Sequence, residues 1–286
     1  MDPSIAQFTK GERPRPASVI APLLYLASCP DVPFSYVGRP PPGMPPHNCE
    51  YVARSVVIHD ARDGSGFLDL DRNGFELWYA PSAMGDFLDE DEVRRRYYPE
   101  VAELVLRATG AEEAHVFDHL VRRREFGRPT MILGARHGPF AGPAGLVHVD
   151  YTERSGVRRF GMVLEGRTPR GRFAIVNVWR SIRVAPVLDT PLALCDARSV
   201  SRDSLVASEL RYPERTGEIS LVRHQPEHRW SYVSEMRRDE ALLFKQYDSD
   251  LGVARFVPHA AFDHPAMPSD APPRQSIEAR VLVTFR

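Results

Sequence analysis

His148-Val149-Asp150 lies inside a β-type run, GLVHVDYT. Side chains at i and i+2 of a strand point to the same face, so the imidazole and the carboxylate can converge while Val149 packs on the other side. A second histidine from a later strand would complete two histidines and one carboxylate. That set leaves octahedral positions open and is used by non-haem Fe(II) oxygenases. His259, in RFVPHAAF, follows a later β-type run and is the best placed. His264 sits in the turn-like DHPAMPSDAPP, and Pro226 argues against a helical pairing of His224 with His228. His115 and His119 would fit one helix face but lack the HExxH pattern. An HxD alone is a weak signal, because a buried polar pair looks the same; the later histidine strengthens it.

Arg274 and Ser276 share i, i+2 spacing at the entrance to the run SIEARVLVTF. One strand face then offers a guanidinium and a hydroxyl. A fixed fork of N–H donors suits the distal carboxylate of a dicarboxylate such as 2-oxoglutarate. A surface arginine is the plainer explanation in so arginine-rich a chain, and Arg280, in the same alternation, is a rival anchor. NVWRSI sets Asn177 and Trp179 on one face and Arg180 on the other. Asn177 could hydrogen-bond the co-substrate. Trp179 could wall a substrate pocket, though a core role suits it as well. Arg180 could meet a substrate carboxylate or an internal acid. His119, within HLVRRR, could meet a polar substrate, although such charge runs are more often solvated faces. Cys195 lies in an apolar run and reads as an inert buried thiol. No GK[ST], no GxGxxG opening a helix and no GxSxG is present, so nucleotide binding and an α/β-hydrolase are unsupported.

These residues need strands to hold them. From residue 130 onward we read eight short β-type runs: GLVHVDYT, RFGMVLEG, RFAIVNVWRSI, PLALCDARSV, RWSYVSEM, EALLFKQYDS, ARFVPHAAF and SIEARVLVTF. Turn-rich segments separate them, and no βαβ rhythm is visible. The pattern predicts a jelly roll or barrel. Upstream, residues 1 to about 50 are rich in proline, densest in RPPPGMPPHN, and read as a wrapping arm or loop. VARSVVIHDAR reads as β, and GFLDLDRNGFELWY as a hairpin around RNG. Residues 89–110 read as helical, with Pro99 in a first turn and Gly110 at the end. EEAHVFDHLVRRRE fits no single type. The expectation is a mainly β chain with flanking helices and a jelly-roll core. It forms one oxygenase domain over 1–286, with an N-terminal arm and support region (1–130) and a core carrying the metal site (131–286).

Composition excludes several classes. The 286 residues carry 37 Lys plus Arg against 38 Asp plus Glu, a net charge of −1, so no basic excess points to nucleic acid or to an anionic membrane. No apolar run approaches the roughly 20 residues of a membrane span, and the N-terminus lacks a signal-peptide pattern. Cys29, Cys49 and Cys195 lie far apart with no CxxC. Neither a disulfide nor a structural zinc site is expected, and the cytoplasm is the natural setting. Lys10 and Lys245 are the only lysines, which excludes most lysine-based catalysis.

HVDYT, NVWRSI, PLALCDARSV, DEALLFKQYDS, RFVPHAAF and DAPPRQSIEARVLVTF resemble the hydroxylase/desaturase family of the fungal gibberellin desaturase type, to which the cephamycin methoxylase component also belongs. PFSYVGRPPPGMPPHN, GFLDLDRNGFEL, YYPEVAELVLRATGA and VFDHLVRR extend the likeness over nearly the whole chain. The family is similar to Fe(II)- and 2-oxoglutarate-dependent dioxygenases with a double-stranded β-helix core, the form of jelly roll the resemblance implies for this chain. The resemblance implies metal ligation by His148, Asp150 and His259, and co-substrate binding by Arg274 with Ser276. It implies Fe(II), 2-oxoglutarate and O2 as cofactors, and hydroxylation or desaturation of a small specialised metabolite. Two other classes stand beside this reading. One is a non-redox β-barrel binding or accessory component of a two-protein oxygenase, and the other is a zinc hydrolase using the same triad. Only the oxygenase needs the Arg274/Ser276 anchor. A homodimer or an accessory protein is compatible with all three.

Overall fold

Phe173–Ser181 and Glu240–Asp248 are buried along their whole length, which requires cover on both faces. The computed structural model, which describes residues 16–63, 68–125, 136–137 and 140–286, shows how that cover arises. The two strands are neighbours in a seven-stranded sheet ordered Phe75–Tyr79, Glu240–Asp248, Phe173–Ser181, Gln275–Thr284, Glu113–Arg123, Phe140–Ala141, Arg136–His137. On its outer face Val176, Val178, Ala279 and Val281 pack against Val101, Leu104 and Val105 of the helix Tyr98–Thr109. On its inner face Trp179, Leu242 and Phe244 meet Leu192, Leu194 and Val257. Each such buried side chain contributes about 1.5–3 kcal/mol by leaving water.

Leu192 and Leu194 belong to the second, nine-stranded sheet. Its order is Ser18–Ser28, Glu50–Asp60, Trp230–Tyr232, Leu192–Cys195, His259–Ala261, His148–Val149, Thr216–Val222, Leu205–Arg211, Phe34–Tyr36. The two sheets curl face to face as a jelly roll, mainly β with helices outside, as expected. Among the described residues no helix is long and apolar enough to cross a membrane.

The helical expectation for 89–110 holds in detail. Asp89 caps the start by accepting the Glu92 N–H at 3.0 Å. A π-helical turn, Val93–Tyr97, leads into Tyr98–Thr109, with Pro99 in its first turn. Gly110, at φ 66°, ends it and donates its N–H to the Leu106 carbonyl at 2.9 Å.

Other expectations are corrected. RFGMVLEG is not a strand: it lies mostly within the helix Glu153–Val163. The alternation of Phe160, Met162 and Leu164 imitates a strand, but Thr152 and Ser155 form a reciprocal capping box that nucleates a helix. Gly156 on that helix lies under the Tyr247 ring, where any side chain would collide. EEAHVFDHLVRRRE contains the strand Glu113–Arg123. Two further strands, Leu205–Arg211 and Thr216–Val222, form an antiparallel pair absent from the eight runs. RNG does turn, with Asn73 and Gly74 donating to the Asp69 carbonyl at 2.9 and 3.0 Å. However, Phe75–Tyr79 pairs with Glu240–Asp248 and not with a preceding strand; residues 64–67, where that strand would begin, lie outside the described residues.

Residues 1–15 of the expected arm lie outside the described residues, and the part from residue 16 onward is built into the sheet. Ser18–Ser28 is an 11-residue strand paired antiparallel with Glu50–Asp60. That pairing joins Cys29 and Cys49 in a disulfide with their Cα atoms 4.5 Å apart. Separation along the sequence had argued against any such pair; strand register brings the two ends together.

Candidate metal centre

His148 and His259 are register partners on adjacent antiparallel strands of the nine-stranded sheet. Their rings lie 4.2 Å apart between centroids, and both are buried. His148 Nδ1 lies 2.8 Å from the Leu146 carbonyl, and His259 Nδ1 lies 3.3 Å from the Val257 carbonyl. A carbonyl only accepts, so both rings carry a proton on Nδ1, which leaves Nε2 as the ligating nitrogen. Burial first, and then the His148 ring, push His259 down to about 3 from its usual 6.5. It is therefore neutral and ready to ligate at neutral pH.

Asp150 follows the His148 strand at a bend, with Oδ1 3.5 Å from His148 Nε2. Burial works to raise its carboxyl, but the Arg280 guanidinium and the histidines hold it well below the usual carboxylate range. One donor atom from each of His148, Asp150 and His259 falls within 4.8 Å of the others, a group of two nitrogens and one oxygen that could hold a divalent metal. Gln246 fixes the loop behind it. Its Oε1 accepts the Asp150 N–H at 2.7 Å, and its Nε2 donates to the Val257 carbonyl at 3.0 Å.

Arg274 and Ser276 lie at the start of the opposing sheet and are both buried. Arg274 donates from Nη1 to the Thr190 carbonyl at 2.6 Å and sits over the Trp179 ring, 5.5 Å from its centroid. Burial, and then the charge of Arg122, lower the guanidinium to about 9. Two donors are left over: Arg274 Nε and Ser276 Oγ are buried with no hydrogen-bond partner. Such atoms are costly unless something accepts from them, and a carboxylate of a small acid matches both.

Over residues 23–284 the chain matches the family model described as oxidoreductase/YMDC permease-like domain. It is 35% identical over 260 residues to the hydroxylase/desaturase CTB9 of Cercospora beticola, covering 82% of this chain and 77% of that protein. It is 33% identical over 258 residues to the Fe(II)/2-oxoglutarate-dependent dioxygenase nvfI of Aspergillus novofumigatus, covering 87% and 89%. The solved structure of the iron and alpha-ketoglutarate-dependent endoperoxidase NvfI matches with a TM-score of 0.81 at 30% identity, over 94% of this chain and 98% of that one. The chain belongs to the hydroxylase/desaturase family of Fe(II)/2-oxoglutarate-dependent dioxygenases. Its cofactors are Fe(II), 2-oxoglutarate and O2, and its substrate is a small molecule.

Not every residue expected at the site of this dioxygenase is there. Asn177 faces inward, but its Nδ2 donates to Asp150 Oδ2 at 2.9 Å. Its Oδ1 is buried with no partner, and one of the two Nδ2 hydrogens is used on Asp150. Asn177 therefore braces Asp150. Arg280, the rival anchor, is likewise engaged, with its Nε 3.0 Å from Asp150 Oδ2. Arg180 points to the outer face, bonding the Tyr97 hydroxyl at 3.0 Å and the Ala80 carbonyl at 2.9 Å. His119 also faces outward, 3.0 Å from the Tyr98 hydroxyl. Strand alternation places both behind the sheet, away from the triad. His224 and His228 pack around Tyr25, and His264 bonds the Tyr232 hydroxyl at 3.1 Å. Two neighbours of the triad were missed. Glu278 was legible, because it alternates in step with Arg274, Ser276 and Arg280. Gln246 was not: a bulge between Lys245 and Tyr247 re-aims it.

Proposed function

We propose that His148, Asp150 and His259 hold Fe(II) and that Arg274 with Ser276 holds the distal carboxylate of 2-oxoglutarate. The observation that carries this reading is the pair of unpartnered buried donors, Arg274 Nε just before the strand Gln275–Thr284 and Ser276 Oγ at its start. With its co-substrate and O2 bound, the iron supplies the oxidising power to remove hydrogen from an unactivated C–H bond, 2-oxoglutarate leaving as succinate and CO2. The protein does the positioning. His148 and His259 present Nε2 because backbone carbonyls hold their Nδ1 protons. Gln246 ties the backbone at Asp150 to that of Val257. Trp179 closes the wall beneath Arg274 and keeps water from the anchor.

The substrate would approach through a cleft of about 310 Å3 whose lining includes Asp150 and Arg280 together with Tyr151, Arg159, Glu218 and Ile219. That volume and mixed lining suit a small organic metabolite, hydroxylated or desaturated after the first hydrogen is removed. The whole chain would act as one oxygenase domain, since residues 16–123 supply strands to both sheets. A cytoplasmic setting fits an enzyme that must be supplied with Fe(II) and 2-oxoglutarate.

Anaerobic reconstitution with Fe(II) and 2-oxoglutarate tests the reading. The chelate should give a weak visible charge-transfer band that is absent in His148→Ala. No band, with tight zinc binding in its place, would refute it in favour of a hydrolase.

A further inference from the structure

Asp150 Oδ2 accepts two hydrogen bonds, from Asn177 Nδ2 at 2.9 Å and Arg280 Nε at 3.0 Å. The two donors are register partners on neighbouring strands, so they reach the carboxylate from the same sheet face. Asp150 Oδ1 is the oxygen turned toward His148 Nε2. One oxygen is therefore occupied by the opposing sheet, and the other is turned to the histidines.

The same guanidinium reaches two more carboxylates. Nη2 donates to Glu278 Oε1 at 2.8 Å, and Nη1 donates to Asp118 Oδ2 at 3.0 Å. Glu278 is buried, stands two residues before Arg280 and shares its inward face. Glu278 is outside the triad's group of donor atoms but shares the Arg280 guanidinium with Asp150, so a carboxylate released from Arg280 would be a competing oxygen ligand. If it bound the metal, it would take a coordination position that the co-substrate or O2 requires.

We propose that Arg280 is a positioning residue that holds Asp150 to ligation through one oxygen and keeps Glu278 off the metal. The proposal rests on the assignment of the triad as the Fe(II) site. A planar guanidinium spans three carboxylates in fixed directions, whereas an ammonium is a single point of charge. The role therefore needs arginine and not merely a cation. Partners of this kind behind a metal ligand govern affinity and open positions alike.

The test uses the full chain, Co(II) as a spectroscopic probe of the metal site and anaerobic calorimetry with 2-oxoglutarate. Arg280→Met should retain Co(II) with an altered visible spectrum and bind 2-oxoglutarate about tenfold or more weakly. Adding Glu278→Gln to Arg280→Met should return the spectrum toward wild type and recover most of the lost affinity. Arg280→Lys should lie between wild type and Arg280→Met. Thermal melts identify any variant that does not fold. If Arg280→Met is one, Arg280→Lys with and without Glu278→Gln carries the same comparison. An unchanged spectrum and unchanged 2-oxoglutarate affinity in the Arg280 variants would reduce Arg280 to a structural ion pair and overturn the proposal. A loss that Glu278→Gln does not relieve would overturn the guarding of Glu278. Wild-type protein that binds no Co(II) would instead sink the triad assignment, and this proposal with it.

Discussion

Two charged networks are buried in the same seven-stranded sheet, and they differ in whether they are complete. In the first, Lys245 Nζ donates to Asp248 at 2.7 Å and to Asp71 at 2.5 Å, while Arg172 Nη2 bonds Asp248 at 2.8 Å and Asp71 at 2.7 Å. Arg255 Nε caps the Asp248 carbonyl at 2.5 Å. None of the side chains in that network has a buried polar atom without a partner. The second runs from Asp150 through Arg280 and Glu278 to the anchor end of the strand, where Arg274 Nε and Ser276 Oγ have nothing to bond. Both contain buried cations. The difference is that a closed network spends all its donors on the fold, while under the proposed assignment the open one keeps two for the co-substrate. In a chain so rich in arginine, charge itself says little; incompleteness is the informative feature.

The largest effect should come from breaking the closed network. Lys245→Met leaves the fully buried Asp248 with Arg172 as its sole cation and should cost about 3–5 kcal/mol, read from urea unfolding. Once the variant is compared under folding conditions, metal affinity should match wild type. A large change in metal binding by folded protein would show that the two networks are not separate. Next comes the open network. Arg274→Ala should weaken 2-oxoglutarate binding by about a hundredfold or more, as expected for losing a charge-assisted pair worth roughly 3 kcal/mol. Co(II) affinity should hold. Retained 2-oxoglutarate affinity, with Arg280 untouched, would place the anchor elsewhere.

Acid provides a gentler probe. Burial, then the neighbouring His224, hold His228 at about 4 in the fold against 6.5 when unfolded. The unfolded chain therefore takes up a proton that the folded chain refuses. Stability from this residue is complete above pH 6.5 and declines as pH falls toward 4, by at most about tenfold in the folding constant per pH unit. His228→Gln should flatten the fall in melting temperature of the metal-free protein between pH 7 and 5. This baseline must be removed before acid sensitivity is ascribed to either carboxylate network; an unchanged slope would refute it. The smallest change is expected from Ser276→Ala. It removes one hydrogen bond to a charged group, so 2-oxoglutarate affinity should fall about tenfold, while stability hardly moves because that hydroxyl has no partner in the fold.

Much of this architecture follows from local sequence. Period-2 alternation alone puts His148 beside Asp150, Arg274 beside Ser276, and Asn177 on the face opposite Arg180. Pro99 and Gly110 bracket a helix, and the Thr152/Ser155 box could have identified another. Each of these rests on forces acting within a few residues: backbone sterics, caps and the alternation of a pleated strand.

What local sequence could not decide was partnership across strands. His259 becomes the neighbour of His148 because their strands align in register; nothing near either residue encodes that alignment. Asn177 and Arg280 are spent on Asp150 because the two sheets face each other at that level. Gln246 reaches the Asp150 loop through a bulge that depends on the pairing of Glu240–Asp248 with Phe173–Ser181. Cys29 and Cys49 meet because Ser18–Ser28 runs antiparallel to Glu50–Asp60. Register and sheet order are settled by the summed burial of many side chains over the whole chain. The sequence by itself thus determined which residues share a face, and the tertiary structure decided which faces meet.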